Sequence, residues 1–141
     1  MRLSRSFSAA LTLPLVMACH SSTGPGRARV IGNIDAGGTS LQVIDAPATV
    51  AVKQAVAIRV STFGNSCVSA AGAEVVVDGL IAAITPYDMV SSGQCLDYMA
   101  MYPRDVQVRF AQPGTATIRV TGRRDGEAGL ITVERSITVA P

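Results

Sequence analysis

Strict alternation of apolar and polar residues limits the fold of this chain more than any other feature. It recurs in residues 56–61, 106–110 and 116–121, where Val, Ile, Ala or Phe alternates with Ala, Arg, Gln, Ser or Thr. Successive side chains of a β-strand point to opposite faces, so each segment predicts a half-buried antiparallel strand. The Ala-rich stretches keep no helical apolar stripe over three turns. An all-β fold is therefore expected.

Turn signals divide the chain further. Asp78-Gly79 lies between Val75-Val76-Val77 and Leu80-Ile81, which predicts a hairpin with Asp78 and Gly79 as its two turn residues. Residues 131–139 predict a long last strand. Arg135 shares the parity of the apolar residues there, so we expect a bulge or an edge position. Residues 29–34 and 41–44 are weaker strand candidates.

Seven to nine short strands in about a hundred residues indicate a β-sandwich. Residues 47–60 resemble the A-to-B corner of bacterial immunoglobulin-like domains, and residues 113–120 resemble their closing corner and following strand. The resemblance implies an immunoglobulin-like antiparallel β-sandwich over residues 28–141. Two departures stand out: Lys53-Gln54 replaces the glycine common in that turn, and the chain has no tryptophan.

The N-terminus carries Arg2 and Arg5 before a short apolar run, and Val16-Met17-Ala18-Cys19 resembles the lipobox of bacterial lipoproteins. This resemblance implies a signal peptide over residues 1–18 and a diacylglycerol on Cys19. The small, polar residues that follow predict a flexible tether over residues 19–27. The resemblance to a lipobox places the protein in the bacterial cell envelope, on the outer membrane or the outer face of the cytoplasmic membrane. The alternative is an ordinary secretory signal that leaves Cys19 free.

Cys67 and Cys95 remain as an even pair in an exported, oxidising setting, where disulfides persist. We expect them to be bonded to each other. The alternative is a catalytic thiol, which needs a nearby base, and the only histidine is His20 in the tether.

Sequence motifs of enzymes are absent from the chain, so we expect no catalytic residue and no cofactor. Asp88, Asp97 and Asp105 could offer oxygen ligands to calcium, but their spacing matches no calcium loop. We expect turn or surface positions for them, and no metal. Loss of Arg2 and Arg5 with the signal leaves equal numbers of basic and acidic residues, so we expect no nucleic-acid partner.

Tyrosine and methionine are concentrated between residues 87 and 102, the stretch that contains Cys95. The residues concerned are Tyr87, Met89, Tyr98, Met99, Met101 and Tyr102. Such side chains suit an adaptable binding loop. The alternative, which we favour, is a small cluster packed beneath a long loop.

The sequence therefore favours a membrane-anchored, non-catalytic module. Its expected partners are the membrane, through the lipid, and another envelope protein or a glycan. An enzyme or solute-binding lipoprotein without recognisable motifs remains the alternative.

Overall fold

The computed structural model describes residues 26–37 and 42–141, and within them the chain forms nine strands and no helix. The strands are β1 (Arg27–Ile31), β2 (Ile44–Asp45), β3 (Thr49–Ala51), β4 (Ala55–Gly64), β5 (Val68–Asp78), β6 (Ile81–Ser91), β7 (Ala100–Arg109), β8 (Gly114–Arg123) and β9 (Leu130–Ala140). They form two packed sheets. The prediction of an all-β sandwich is confirmed.

One sheet has three strands in the order β2-β4-β7, and the other has six in the order β1-β6-β8-β9-β3, with β5 also paired to β6. Along one edge β6 pairs with β5; its other edge is shared by β1 and β8. Most pairings are antiparallel. β6 with β8 and β3 with β9 are parallel, which the sequence did not predict.

The core lies between the sheets and consists of the inward-facing positions that the alternation predicted. Ile58 and Val60 of β4 are fully buried against Ile118 and Val120 of β8 and their neighbours in one apolar cluster. β-branched residues dominate these positions because their stiff side chains fit a pleated, half-buried surface.

The segment after β1 closes one end of the sandwich. Its backbone pairs with Arg123 of β8. Arg123 N donates to Gly32 O at 2.8 Å, and Ile34 N donates to Arg123 O at 3.0 Å. Phe63 N donates to Asn33 O at 2.8 Å, so the same segment also contacts the three-stranded sheet. Arg27, assigned above to the tether, is the first residue of β1 and pairs with Ser91.

One local expectation needs correction. The predicted hairpin is present, but Asp78 pairs with Ile81, so the turn residues are Gly79 and Leu80. Positive φ is found at Gly79 (57°) and not at Leu80, which fits a type II′ turn better than a type I′ turn.

Of the two alternatives expected for Arg135, the bulge is absent, because β8 and β9 pair without a register shift. The edge position is found, because β3 pairs with β9 only at residues 138–140. The Arg135 guanidinium reaches the opposite sheet, where Nη1 donates to the carbonyl oxygen of Ile44 at 3.0 Å. A long side chain at the margin of the core can bury its stem and still satisfy its charged end.

Candidate binding cleft at the disulfide end

The disulfide end is the end of the sandwich formed by residues 65–67, the loop 92–99 and the turn 124–129. Cys67 and Cys95 are bonded here, with their Cα atoms 5.4 Å apart, so the predicted disulfide is present. Ser66 Oγ accepts a hydrogen bond from Leu96 N at 2.7 Å, and Cys67 O accepts one from Ser91 N at 3.0 Å. The loop is thus fastened to the turn between β4 and β5 by one covalent bond and by hydrogen bonds.

The six residues predicted as a binding loop do not form one surface. Tyr87 and Met89 lie on β6 and alternate with inward-facing residues, so they face the outer side of the six-stranded sheet. Met101 and Tyr102 lie at the start of β7 in the other sheet. Tyr98 and Met99 are the members that belong to the loop 92–99. The predicted loop was too long because β6 and β7 both extend into it.

Tyr87 is held on the outer face by its neighbours. The guanidinium of Arg29, on the adjacent β1, lies 3.6 Å from the centre of its ring, a cation–π contact. Its hydroxyl lies 3.4 Å from Glu74 Oε2 on β5. These contacts tie β1 and β5 to β6, so Tyr87 has a structural role.

Tyr102 also has a structural role, and its expected position in a binding loop is wrong. It lies within β7, partly buried, and its hydroxyl donates to Asn65 O at 2.6 Å. Burial raises the pKa of this hydroxyl above its ordinary value, and the nearby Tyr98 and Asp88 add to the shift. The side chain therefore fastens the turn after β4 to β7.

Tyr98 and Met99 line a cleft of about 320 Å³ between the loop and the turn 124–129. Both side chains are half exposed, at 52% and 54%. The cleft walls come from the segment after β1, from β4, β5, β6 and the loop, and from the β8–β9 connection. The lining residues are Asn33, Phe63, Gly64, Asn65, Cys67, Val68, Val90, Ser91, Cys95, Asp97, Tyr98, Met99, Arg123 and Asp125.

Several polar groups of this lining are already engaged. Asn33 Oδ1 accepts from Asp35 N at 2.9 Å, and Asn65 Oδ1 accepts from Cys67 N at 3.0 Å, so both asparagines form local turns. The sulfurs of Cys67 and Cys95 are bonded to each other, which removes either as a free nucleophile. What the cleft offers a ligand is an aromatic ring, a thioether and the carboxylates of Asp97 and Asp125. These side chains can bind a ligand through apolar contacts and through hydrogen bonds that the carboxylates accept.

A buried ionic cluster, which was not predicted from the sequence, lies near this end. Arg104 Nη2 lies 2.7 Å from Asp88 Oδ1, and the two side chains are 7% and 2% exposed. Thr62 Oγ1 donates to the same carboxylate oxygen at 2.8 Å. Arg104 also donates to the carbonyl oxygens of Gly72 and Tyr102, at 3.1 and 3.0 Å, and to that of Tyr87. Strands of both sheets are therefore joined through one guanidinium. The alternation of inward and outward positions could have indicated this cluster, because Asp88 and Arg104 both fall on the inward positions of their strands.

The three aspartates considered as calcium ligands are dispersed. Asp88 is in the buried cluster, Asp97 lines the cleft, and Asp105 forms an exposed ion pair with Arg59 at 2.8 Å. The expected turn or surface positions are thus wrong for Asp88. In the part of the chain that the structure describes, no group of three His, Cys, Asp or Glu residues is arranged to hold a metal ion.

Comparison with known proteins finds no significant match, whether to a family model, to a curated protein or to a solved structure. Within residues 26–37 and 42–141 there is also no helix long and apolar enough to cross a membrane. The lipobox, Cys19 and most of the predicted tether lie outside the described residues.

Proposed function

We propose that this chain is a non-catalytic lipoprotein of the bacterial cell envelope. A diacylglycerol on Cys19 anchors it, and the β-sandwich carries a binding site for another envelope protein or a glycan. The anchor rests on the residues around Val16-Met17-Ala18-Cys19. The binding role rests on the cleft at the disulfide end.

The cleft carries this proposal because its rim combines exposure with rigidity. Tyr98 and Met99 are half exposed, yet their loop is held by the Cys67–Cys95 bond and by the Ser66–Leu96 hydrogen bond. A preorganised loop loses little conformational freedom when it binds, so more of the contact energy remains as affinity. Aromatic and methionine side chains are the types enriched where protein surfaces bind partners.

We also propose that the sandwich is immunoglobulin-like. The order β2-β4-β7 corresponds to strands A, B and E of that fold, and the β8–β9 hairpin corresponds to F and G. The parallel pairing of β6 with β8 departs from it. The first strand after the B-type strand, β5, lies outside β6 instead of next to β8.

The lipid anchor is tested by metabolic labelling with a palmitate analogue. The wild-type chain should take up the label and fractionate with membranes, whereas Cys19→Ala should do neither. Ser22→Ala, in the same polar segment, is the matched control and should keep the label. Label on Cys19→Ala at the wild-type level contradicts the proposed anchor.

The binding role is tested by chemical crosslinking in intact envelopes and by co-sedimentation with envelope glycan. Tyr98→Ala with Met99→Ala should abolish a crosslinked partner or glycan sedimentation. Val76→Ala with Ile81→Ala removes exposed apolar side chains of the β5–β6 hairpin at the other end of the sandwich and should leave binding unchanged. Equal binding by both variants contradicts the assignment to the cleft.

A further inference from the structure

The chain enters the sandwich at the disulfide end. Gly26 O accepts a hydrogen bond from Ser92 N at 2.7 Å, directly where β6 passes into the loop 92–99. Arg27 pairs with Ser91 and shares a small depression with Ser66 and Cys67. The first described residues therefore lie beside the loop that the disulfide holds.

This position limits how far the loop can be from a lipid on Cys19. A fully extended chain spans at most about 3.3–3.6 Å per residue, so the roughly seven residues from Cys19 to Gly26 reach no more than about 25 Å. That distance is shorter than the long axis of the sandwich, since the 11 residues of β5 alone extend over roughly 35 Å at about 3.3 Å each. The disulfide end is accordingly the end that an anchored protein holds nearest to the membrane.

The same loop exposes large apolar side chains. Leu96, Tyr98 and Met99 are 69%, 52% and 54% exposed, in a loop of only eight residues between β6 and β7. Tyrosine is enriched at membrane–water interfaces because its ring is apolar and its hydroxyl is polar, and apolar side chains such as Leu insert at the same depth.

Charge at this end favours neither attraction nor repulsion by anionic lipid. Arg27 and Arg123 lie close to the cleft, and Asp97 and Asp125 balance them. Arg124 is paired with Asp35 at 3.1 Å and with Glu127 at 3.3 Å. Contact with a membrane would therefore be driven by the apolar side chains and would depend little on salt.

We infer that the loop 92–99 lies against the lipid surface, with Leu96, Tyr98 and Met99 in the headgroup region. This inference rests on the proposed anchor at Cys19. It deepens the proposed function, because the membrane itself becomes a partner of the disulfide end and the cleft opens close to the membrane surface. The turn at Gly79-Leu80 then points away from the membrane.

The absence of tryptophan from the chain makes the test direct. Tyr98→Trp introduces a single tryptophan in the loop, which can be excited selectively over tyrosine, and Val76→Trp introduces one at a site of similar exposure, 57%, near the opposite end. The full-length lipoprotein carrying either change is reconstituted into phosphatidylcholine vesicles whose acyl chains bear bromine, a contact quencher. Emission from position 98 should fall by about half or more relative to vesicles without bromine, since interfacial side chains reach the boundary of the acyl chains.

Emission from position 76 should be unchanged, and raising the salt concentration should not restore emission from position 98. Equal emission from position 98 in both kinds of vesicle overturns the inference. If Tyr98→Trp does not fold, as judged by its melting curve, Met99→Trp replaces it with the same expectation.

Intact-mass analysis of Cys19 in the same samples separates the two proposals. An unlipidated Cys19 contradicts the anchor and this inference with it, whereas a lipidated protein with unquenched loop emission contradicts only the inference.

Discussion

At the scale of single residues, the close approach of the segment after β1 depends on glycine. Gly122 faces inward near the end of β8, and a Cβ atom there would lie 2.7 Å from the carbonyl oxygen of Gly32 and 2.6 Å from Ile34 Cγ2. Backbone oxygen cannot move aside as a flexible side chain can. The hydrogen bonds between Arg123 and the segment after β1 form only because nothing larger than hydrogen occupies this position.

We therefore expect Gly122→Ala to lower the free energy of unfolding by about 1–3 kcal/mol through overpacking. The neighbouring Thr121→Ala is the control, because Thr121 points outward and its hydroxyl forms an exposed hydrogen bond with that of Thr132 at 3.1 Å. Thr121→Ala should cost less than about 1 kcal/mol. Urea denaturation of both variants provides the measurement, and equal midpoints would show that the end of β8 adapts to a methyl group.

For the exposed pair Arg59–Asp105 we predict how the titration of Asp105 depends on its partner. The hydrogen bond from Arg59 lowers the pKa of Asp105 below its ordinary value, and the charge of Arg59 also lowers it. A depressed folded-state pKa means that the stabilisation is present above the unfolded-state pKa and is lost as the pH falls through the folded-state pKa. An NMR titration should place the Asp105 midpoint below the value in Arg59→Gln. Identical midpoints would mean that the pair does not persist in solution.

At the scale of elements, the two sheets are joined by charge as well as by apolar packing. Asp88 of β6 and Arg104 of β7 form a buried pair, with Thr62 of β4 bonded to the same carboxylate. Among the described residues, Arg104 Nε is the buried side-chain polar atom without a hydrogen-bond partner. A buried charge is costly unless it is paired, so each partner stabilises the fold chiefly by keeping the other neutralised.

Removing one partner should therefore be worse than removing both. Asp88→Leu or Arg104→Met alone should cost about 3–5 kcal/mol, and the double variant should cost less than either single variant. The exposed pair Arg119–Glu134, 2.7 Å apart with side chains about half exposed, is the control. Its removal should cost about 1 kcal/mol or less. Strict additivity at Asp88 and Arg104 would indicate that the two groups do not interact.

At the scale of the whole molecule, the disulfide and the core make separable contributions. The Cys67–Cys95 bond closes a loop with a sequence separation of 28 and ties the loop 92–99 to the sandwich, while Ile58 lies fully buried between the sheets. In the chain-entropy account a loop of this size is stabilised by roughly 3.6 kcal/mol. The cleft needs both contributions, because its walls come from the sandwich and its rim from the loop.

Ile58→Ala should lose about 2–5 kcal/mol through a cavity. Cys67→Ser with Cys95→Ser should lose about 2–5 kcal/mol, because the unfolded chain is no longer constrained by the bond. Tyr98→Ala should leave the melting temperature nearly unchanged, since its ring is half exposed. Tyr102→Ala should lower it, because the hydroxyl bond to Asn65 O is lost. Thermal melts of the four variants test this order, and a Tyr98→Ala variant as unstable as Ile58→Ala would make the loop part of the core.

Much of the fold could be predicted from local patterns in the sequence. Alternation along β4, β7 and β8 identified the buried faces, since a strand's side chains have a fixed period of two. Cysteine parity identified the disulfide. The two positions in the loop 92–99, Tyr98 and Met99, were among the residues that the local bias in composition singled out.

Tertiary structure alone decided the rest. Parallel pairing of β6 with β8 and the crossing of residues 32–34 between the sheets join segments distant in sequence, and no local signal encodes which edges meet. The burial of Asp88 needed Arg104 from another strand, because a charge can enter a core only opposite its partner. The same is true of the cleft. Its lining is drawn from separate strands and turns, so the sequence determined the residues and their faces, while the packing of the sheets determined which of them share a site.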